Sequence, residues 1–245
     1  MDKGRRFAVL MCAKDSDFVK KRYGGYFQVF LGLLKEEGEI WDMYRVSLGE
    51  FPEEEELEDY EGFVITGSCN DAHGNDPWVC NLVSLLRKLD SMHKKLLGFC
   101  FGHQILSRAI GGKIGRAVNG WDVGVTAVNL SPSKLLSTLQ FPSSLNIIEC
   151  HQDEVLELPE CAEVMAGSEK TEIEMFMCGD HIMGIQGHPE YSKDILLHLI
   201  DRLQRCQIVP SNHIEGAKAS MDAYEPDQEA WKRICLAFLK GGPLL

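Results

Sequence analysis

The chain is expected to fold as an α/β protein with a mainly parallel central sheet flanked by helices. Three observations lead there. Apolar runs alternate with helical patterns, as in successive βα units. A glycine-framed cysteine, Gly98-Phe99-Cys100-Phe101-Gly102, follows the apolar pair Leu96-Leu97 and has the form of a strand-to-helix nucleophile elbow. A later apolar run, Ile182-Met183-Gly184-Ile185, leads into Gly187-His188-Pro189-Glu190 just ahead of another helical pattern.

Taken in order, the first half predicts strands over 7–13, 39–46, 62–67 and 94–99. Helices are expected between them over 26–37 and 77–91, and after the elbow over about 102–110, where Gly111-Gly112 supplies the stop. The middle reads as shorter strands at 122–130, 145–150, 161–167, 173–178 and 181–187, followed by a helix from Ser192 to Leu203. Residues 204–213 read as a linker, and 214–239 carry two further helical patterns whose apolar faces are expected to pack back. On this reading residues 1–205 are the catalytic domain and 206–245 a helical extension packed on it.

Composition narrows the function. With 245 residues, 44% apolar and 25% charged, the chain buries a full core like an ordinary globular protein. A net charge of −12 argues against a nucleic-acid surface, which needs a basic footprint. The acidic run Glu53-Glu54-Glu55-Glu56 reads as a solvated face. No stretch has the length of a membrane span, and the first apolar run, Phe7 to Ala13, is too short and wrongly flanked for a signal peptide. Nine cysteines, an odd number without paired spacing, fit a reducing compartment, the cytosol, better than a disulfide framework.

The chemistry rests on two segments. In the elbow, the glycines at 98 and 102 let strand and helix approach closely around Cys100, whose thiol meets a helix N-terminus that favours thiolate. A cysteine in such a chain is ordinarily inert core; the glycine frame singles this one out. His188 and Glu190, two residues apart at a strand end, point the same way, and Pro189 stiffens the link between them. An imidazole to move the proton and a carboxylate to orient it complete a cysteine hydrolase. Phe101 N–H, next to the nucleophile, and Gly67 N–H, at the end of the third strand, are the candidate oxyanion donors. This chemistry requires no cofactor and no metal, and Cys150-His151 lacks metal-ligand spacing.

These segments, with Thr66-Gly67-Ser68 and His103-Gln104, resemble the class I glutamine amidotransferase family over roughly residues 5–205. Tyr23-Gly24-Gly25-Tyr26-Phe27, Cys150-His151-Gln152-Asp153-Glu154-Val155 and Gln186-Gly187-His188-Pro189-Glu190-Tyr191 more narrowly resemble the plant γ-glutamyl peptidases. The resemblance implies a flavodoxin-like fold, a Cys100–His188–Glu190 triad and hydrolysis of a small γ-glutamyl substrate. That substrate is a glutathione conjugate or glutamine, and the setting sulfur or secondary metabolism such as glucosinolate biosynthesis. It also implies that Gln104 contacts the γ-glutamyl group, and that Asn119, Gly120, Trp121 and Asp122 receive its α-amino and α-carboxylate ends. His151 is expected to line the same site. Where synthase-linked members carry Gly-Gly-Pro, this chain has Thr66-Gly67-Ser68, with Cys69 following. If Gly67 forms the oxyanion hole, Cys69 is expected near Cys100, close enough for oxidation to couple the two thiols. Two alternatives stay open: a glutaminase subunit feeding ammonia to a separate synthase, and a non-catalytic interaction protein of the same architecture.

Overall fold

The computed structural model describes residues 4–132 and 141–241. Its first half is a run of parallel strands: β1 (Arg6–Leu10), β2 (Ile40–Tyr44), β3 (Gly62–Ile65) and β4 (Lys95–Phe99). These short apolar strands are covered on both faces, so β1, β3 and β4 read as continuous apolar runs and not as alternation. Helices α1 (Asp17–Tyr23), α2 (Tyr26–Leu34), α3 (Pro77–Ser91) and α4 (Phe101–Ala109) lie between or after them.

The second half adds β5 (Lys113–Arg116), β6 (Asp122–Leu130), β7 (Ser144–His151), β8 (Asp153–Glu157), β9 (Ala162–Gly167), β10 (Met175–Cys178) and β11 (Ile182–Ile185). The main sheet has nine strands in the order β2-β1-β3-β4-β11-β10-β9-β6-β7. Pairing is parallel from β2 to β11 and antiparallel from β11 onward. Strands β5 and β8 form a separate antiparallel ribbon. No helix among the described residues is long and apolar enough to cross a membrane.

Three expectations need correction. Residues 17–23, left between elements, form α1, capped by the Ser16 hydroxyl accepting from Val19 N–H and stopped by Gly24 at φ 81°. Helix α2 ends at Leu34 instead of 37, because Lys35 turns extended. Strands β5 and β8 were missed; both are short and carry charged residues, and neither shows an apolar period.

The chain closes with α5 (Lys193–Arg205), α6 (Ser211–Ala223) and α7 (Gln228–Lys240), so the expected linker shrinks to 206–210. Helix α7 buries Trp231, Ile234, Cys235, Phe238 and Leu239 in the same core cluster as Phe7, Val9, Leu97 and Phe99. Trp231 Nε1–H donates to Asn146 O at 3.0 Å, and Asn146 N–H donates to the Asp227 carboxylate at 2.6 Å. At the far end of the helix, Lys240 Nζ donates to Leu34 O at 2.7 Å and pairs with Glu39 at 2.8 Å. Helix α6 lies on β6, where Gly124 at φ 132° leaves room for Ala217 and Val125 N–H donates to Ser220 Oγ at 2.9 Å.

Candidate active site

Cys100 stands alone on the turn between β4 and α4, at φ 51° and ψ −107°. Side chains rarely adopt this backbone conformation, and here the surroundings enforce it. A Cβ on Gly98 would lie 2.4 Å from Gly102 O, and one on Gly102 would lie 2.2 Å from Ile65 O. Both positions must therefore be glycine for helix and sheet to meet. Cys100 N–H donates to Ile185 O at 2.9 Å, and Cys100 O accepts from Gln104 N–H at 3.0 Å.

His188 follows β11, the parallel neighbour of β4, so the sheet itself brings it beside the elbow. Its N–H donates to Ile148 O at 2.8 Å, and its Nδ1 lies 2.8 Å from Glu190 Oε1. The ring stacks on Tyr191 at 4.0 Å with an interplanar angle of 2°. Burial pulls the imidazole pKa down, but the Glu190 carboxylate and Cys100, by charge and by hydrogen bonding, outweigh it and hold the group at about 10. A protonated imidazole next to Cys100 is the partner a thiolate needs.

Gly67 completes the convergence. A Cβ there would lie 2.9 Å from His188 Cε1 and 3.6 Å from Cys100 Cβ, so only glycine lets the loop after β3 reach both. The loop is tied to β1: Thr66 N–H donates to Leu10 O, Cys12 N–H to Thr66 Oγ1, and Ser68 Oγ to Cys12 O. Among the described residues, neither Gly67 N–H nor Phe101 N–H donates to a protein acceptor. Cys100 and His188 are only 5% and 4% exposed, so both reacting groups are largely withdrawn from bulk solvent.

The other expected site residues separate into two sets. Gln104, Asp122 and His151 are buried and belong to one polar cluster. Gln104 Nε2 donates to Asp153 O at 2.7 Å and to Gln186 Oε1 at 3.1 Å; His151 Nδ1 lies 3.0 Å from the same Asp153 O. Asp122, paired across β6 and β7 with His151, accepts from Lys170 Nζ at 2.7 Å. Asn119 and Gly120 instead occupy an outer turn, with Asn119 Nδ2 donating to Lys170 O. Trp121 packs toward α6, where its carbonyl lies 3.1 Å from His213 Nδ1. Cys69 is exposed whereas Cys100 is buried.

The sequence reading missed the acids of this cluster. Glu149 and Glu174 are 0% and 2% exposed, and His151 Nε2 lies 3.3 Å from Glu149 Oε2. Period-two alternation in β7 held the clue, since Leu145, Ile147, Glu149 and His151 share the inward face. Glu149 reaches the loop that carries His188: a Cβ on Gly187 would lie 2.4 Å from Glu149 Oε1. Glu149, His151 and Glu174 bring their ligand atoms within 4.8 Å of one another, as do Asp71, His73 and Asp153. In the second group Arg116, 2.8 Å from Asp153, already supplies positive charge.

Burial, and then the neighbouring acids, raise the pKa of Glu149 and Glu174 well above the ordinary carboxylate range. The folded protein therefore holds protons here that the unfolded chain releases, and stability falls as pH climbs from the unfolded value toward the folded one. Each unit of displacement is worth ~1.4 kcal/mol, or about 3–6 °C in a chain of this size. Glu149→Gln, which mimics the protonated acid, is expected to raise the Tm more at pH 8 than at pH 5. Melting curves at the two values check this, and an equal shift at both would refute it.

The sequence profile of the family described as glutamine amidotransferase class-I matches residues 34–196. The chain belongs to that family. Among curated relatives of this chain, γ-glutamyl peptidase 5 of Arabidopsis thaliana is 51% identical over 97% of this chain and 96% of its own length. γ-Glutamyl peptidase 3 of the same plant is 47% identical over 98% and 99%. Among solved structures, a glutamine amidotransferase from Thermotoga maritima superposes with a TM-score of 0.73 at 21% identity, covering 98% of this chain and all of that one. One from Methylobacillus flagellatus gives 0.70 at 18% identity, covering 98% and 95%. The family's mixed, mostly parallel sheet is the one found here.

Proposed function

We propose that the protein is a γ-glutamyl peptidase that uses Cys100 as nucleophile, and that its substrates are glutathione conjugates. The observation that carries this reading is the convergence of Cys100, His188 and Gly67 in a chain about half identical to γ-glutamyl peptidases over nearly its whole length. Cys100 thiolate attacks the γ-carbonyl carbon, and the oxyanion rests on Phe101 and Gly67 N–H. His188, held by Glu190, protonates the departing amine, and the γ-glutamyl group remains on sulfur as a thioester. Water that loses its proton to His188 then releases glutamate and restores the thiolate.

Gln104 keeps its Oε1 for the γ-glutamyl chain while its Nε2 is held by the protein. Asp122, which already accepts from Lys170 Nζ, offers an acceptor suited to the substrate's ammonium end. Residues 206–245 belong to the same catalytic unit, supported by the place of α7 in its core. The free cysteines support a reducing, cytosolic setting.

The test compares glutamate release from glutamine, glutathione and a bulky S-substituted glutathione by the purified protein. Fastest release from the conjugate is expected. A preference for glutamine would replace this reading with that of an ammonia-supplying subunit.

A further inference from the structure

We propose that Cys161 and Cys178 form a reversible disulfide, a site of thiol–disulfide modification separate from the catalytic cysteine. The two residues lie 17 positions apart, at the start of β9 and the end of β10, and nothing in their sequence spacing pairs them. In the fold, β9 and β10 run antiparallel with Cys178 opposite Ala162, which brings the turn bearing Cys161 against the end of β10. The sulfur atoms lie 2.7 Å apart, the only two thiols in mutual hydrogen-bond contact among the described residues. A disulfide needs ~2.05 Å, so closing the bond asks for a movement of about 0.7 Å, within the reach of side-chain rotation.

The two thiols are unequal in a way that orders the chemistry. Cys161 is exposed and meets a reagent first, whereas Cys178 is buried behind it. Burial and the neighbouring sulfur push the Cys178 thiol up to about 12, which suits a group that reacts only after its partner has been activated. The oxidant class is a small peptide disulfide, of which glutathione disulfide is the simplest. Cys161 thiolate attacks one of its sulfurs, the S–S bond breaks and one glutathione leaves as thiolate. Cys178 sulfur then attacks Cys161 sulfur, and its proton passes to the second departing glutathione. Two protein thiols are oxidised, one disulfide is reduced to two thiols, and excess thiol reverses both steps.

The pair sits at the far end of the strands from the catalytic centre. Cys178 lies opposite Ile182, whereas Ile185, three residues along the same strand, accepts from Cys100 N–H. That places the bond ~10 Å along the strand from the elbow's anchor. The linkage is therefore expected to change stability and not the catalytic groups. Closing an 18-residue loop removes freedom from the unfolded chain, expected to raise the Tm by about 5–10 °C.

Full-length protein incubated with glutathione disulfide, then alkylated and mapped without reduction, tests the proposal alongside melting curves. Expected is one internal Cys161–Cys178 linkage, reversed by dithiothreitol, with the higher Tm. Cys161→Ser should abolish linkage and shift together. Cys178→Ala should leave a lasting glutathione adduct on Cys161, since the second attack is gone. Wild-type protein in which both thiols stay alkylatable, or in which Cys161 keeps its adduct or joins another cysteine, would overturn the site. A formed linkage with unchanged or lower Tm would overturn its stabilising effect.

Discussion

Replacing Cys100 by alanine is expected to lower glutamate release by roughly three to four orders of magnitude or more while leaving the fold intact. The size of the effect follows from the geometry. His188 has its Nδ1 committed to Glu190, so without the Cys100 thiol the attack falls to water, a far weaker nucleophile than a thiolate. What survives should be the contribution of the oxyanion donors and of binding alone. The fold should survive because alanine removes one sulfur from a small side chain without adding volume. Cys100→Gly sharpens the point: glycine accepts φ 51° without strain, so this variant should be equally inactive yet melt a few degrees higher. Activity within tenfold of wild type in either variant would remove Cys100 from the mechanism.

Trp231→Ala is expected to cost ~3–5 kcal/mol, a fall in Tm of about 6–20 °C. Trp231 is 1% exposed, so its truncation empties a volume that the packed core around it fills only in part. The same change strips Asn146 O of the indole donor that reaches it at 3.0 Å. Denaturant unfolding of both proteins measures the difference. A loss below about 1 kcal/mol would mean that α7 is a peripheral addition to the core and not part of it.

The elbow and the His-Pro-Glu segment were legible in the sequence because their function depends on local backbone geometry, which glycine and proline write directly into the chain. The apolar strands β1, β3 and β4 were legible for a related reason: burial on both faces leaves little room for polar residues. The ribbon of β5 and β8 was not, since each strand finds its partner only through the folded chain and neither has an apolar face of its own. Helix α1 is too short to show a period, and its existence rests on the Ser16 cap. Glu149 and Glu174 look like any solvated acid until the strand alternation is followed inward. The Cys161–Cys178 contact depends on a turn and a register, neither of which is encoded in spacing.

The placement of α7 also governs the order in which the protein can assemble. Lys240 and Glu39 are 201 positions apart, yet both are nearly buried and hold one another beside β2. Strand β1 thus waits for α7, far along the chain, before this face is fully covered. Until then Phe7, Val9, Leu97 and Phe99 are covered on this face only in part, by Phe30, Leu33 and Leu34 of α2. Contacts of such long range close slowly, and the half-made sheet invites association with other nascent chains. Synthesis in the cell is therefore expected to depend on chaperones over the interval between β4 and α7.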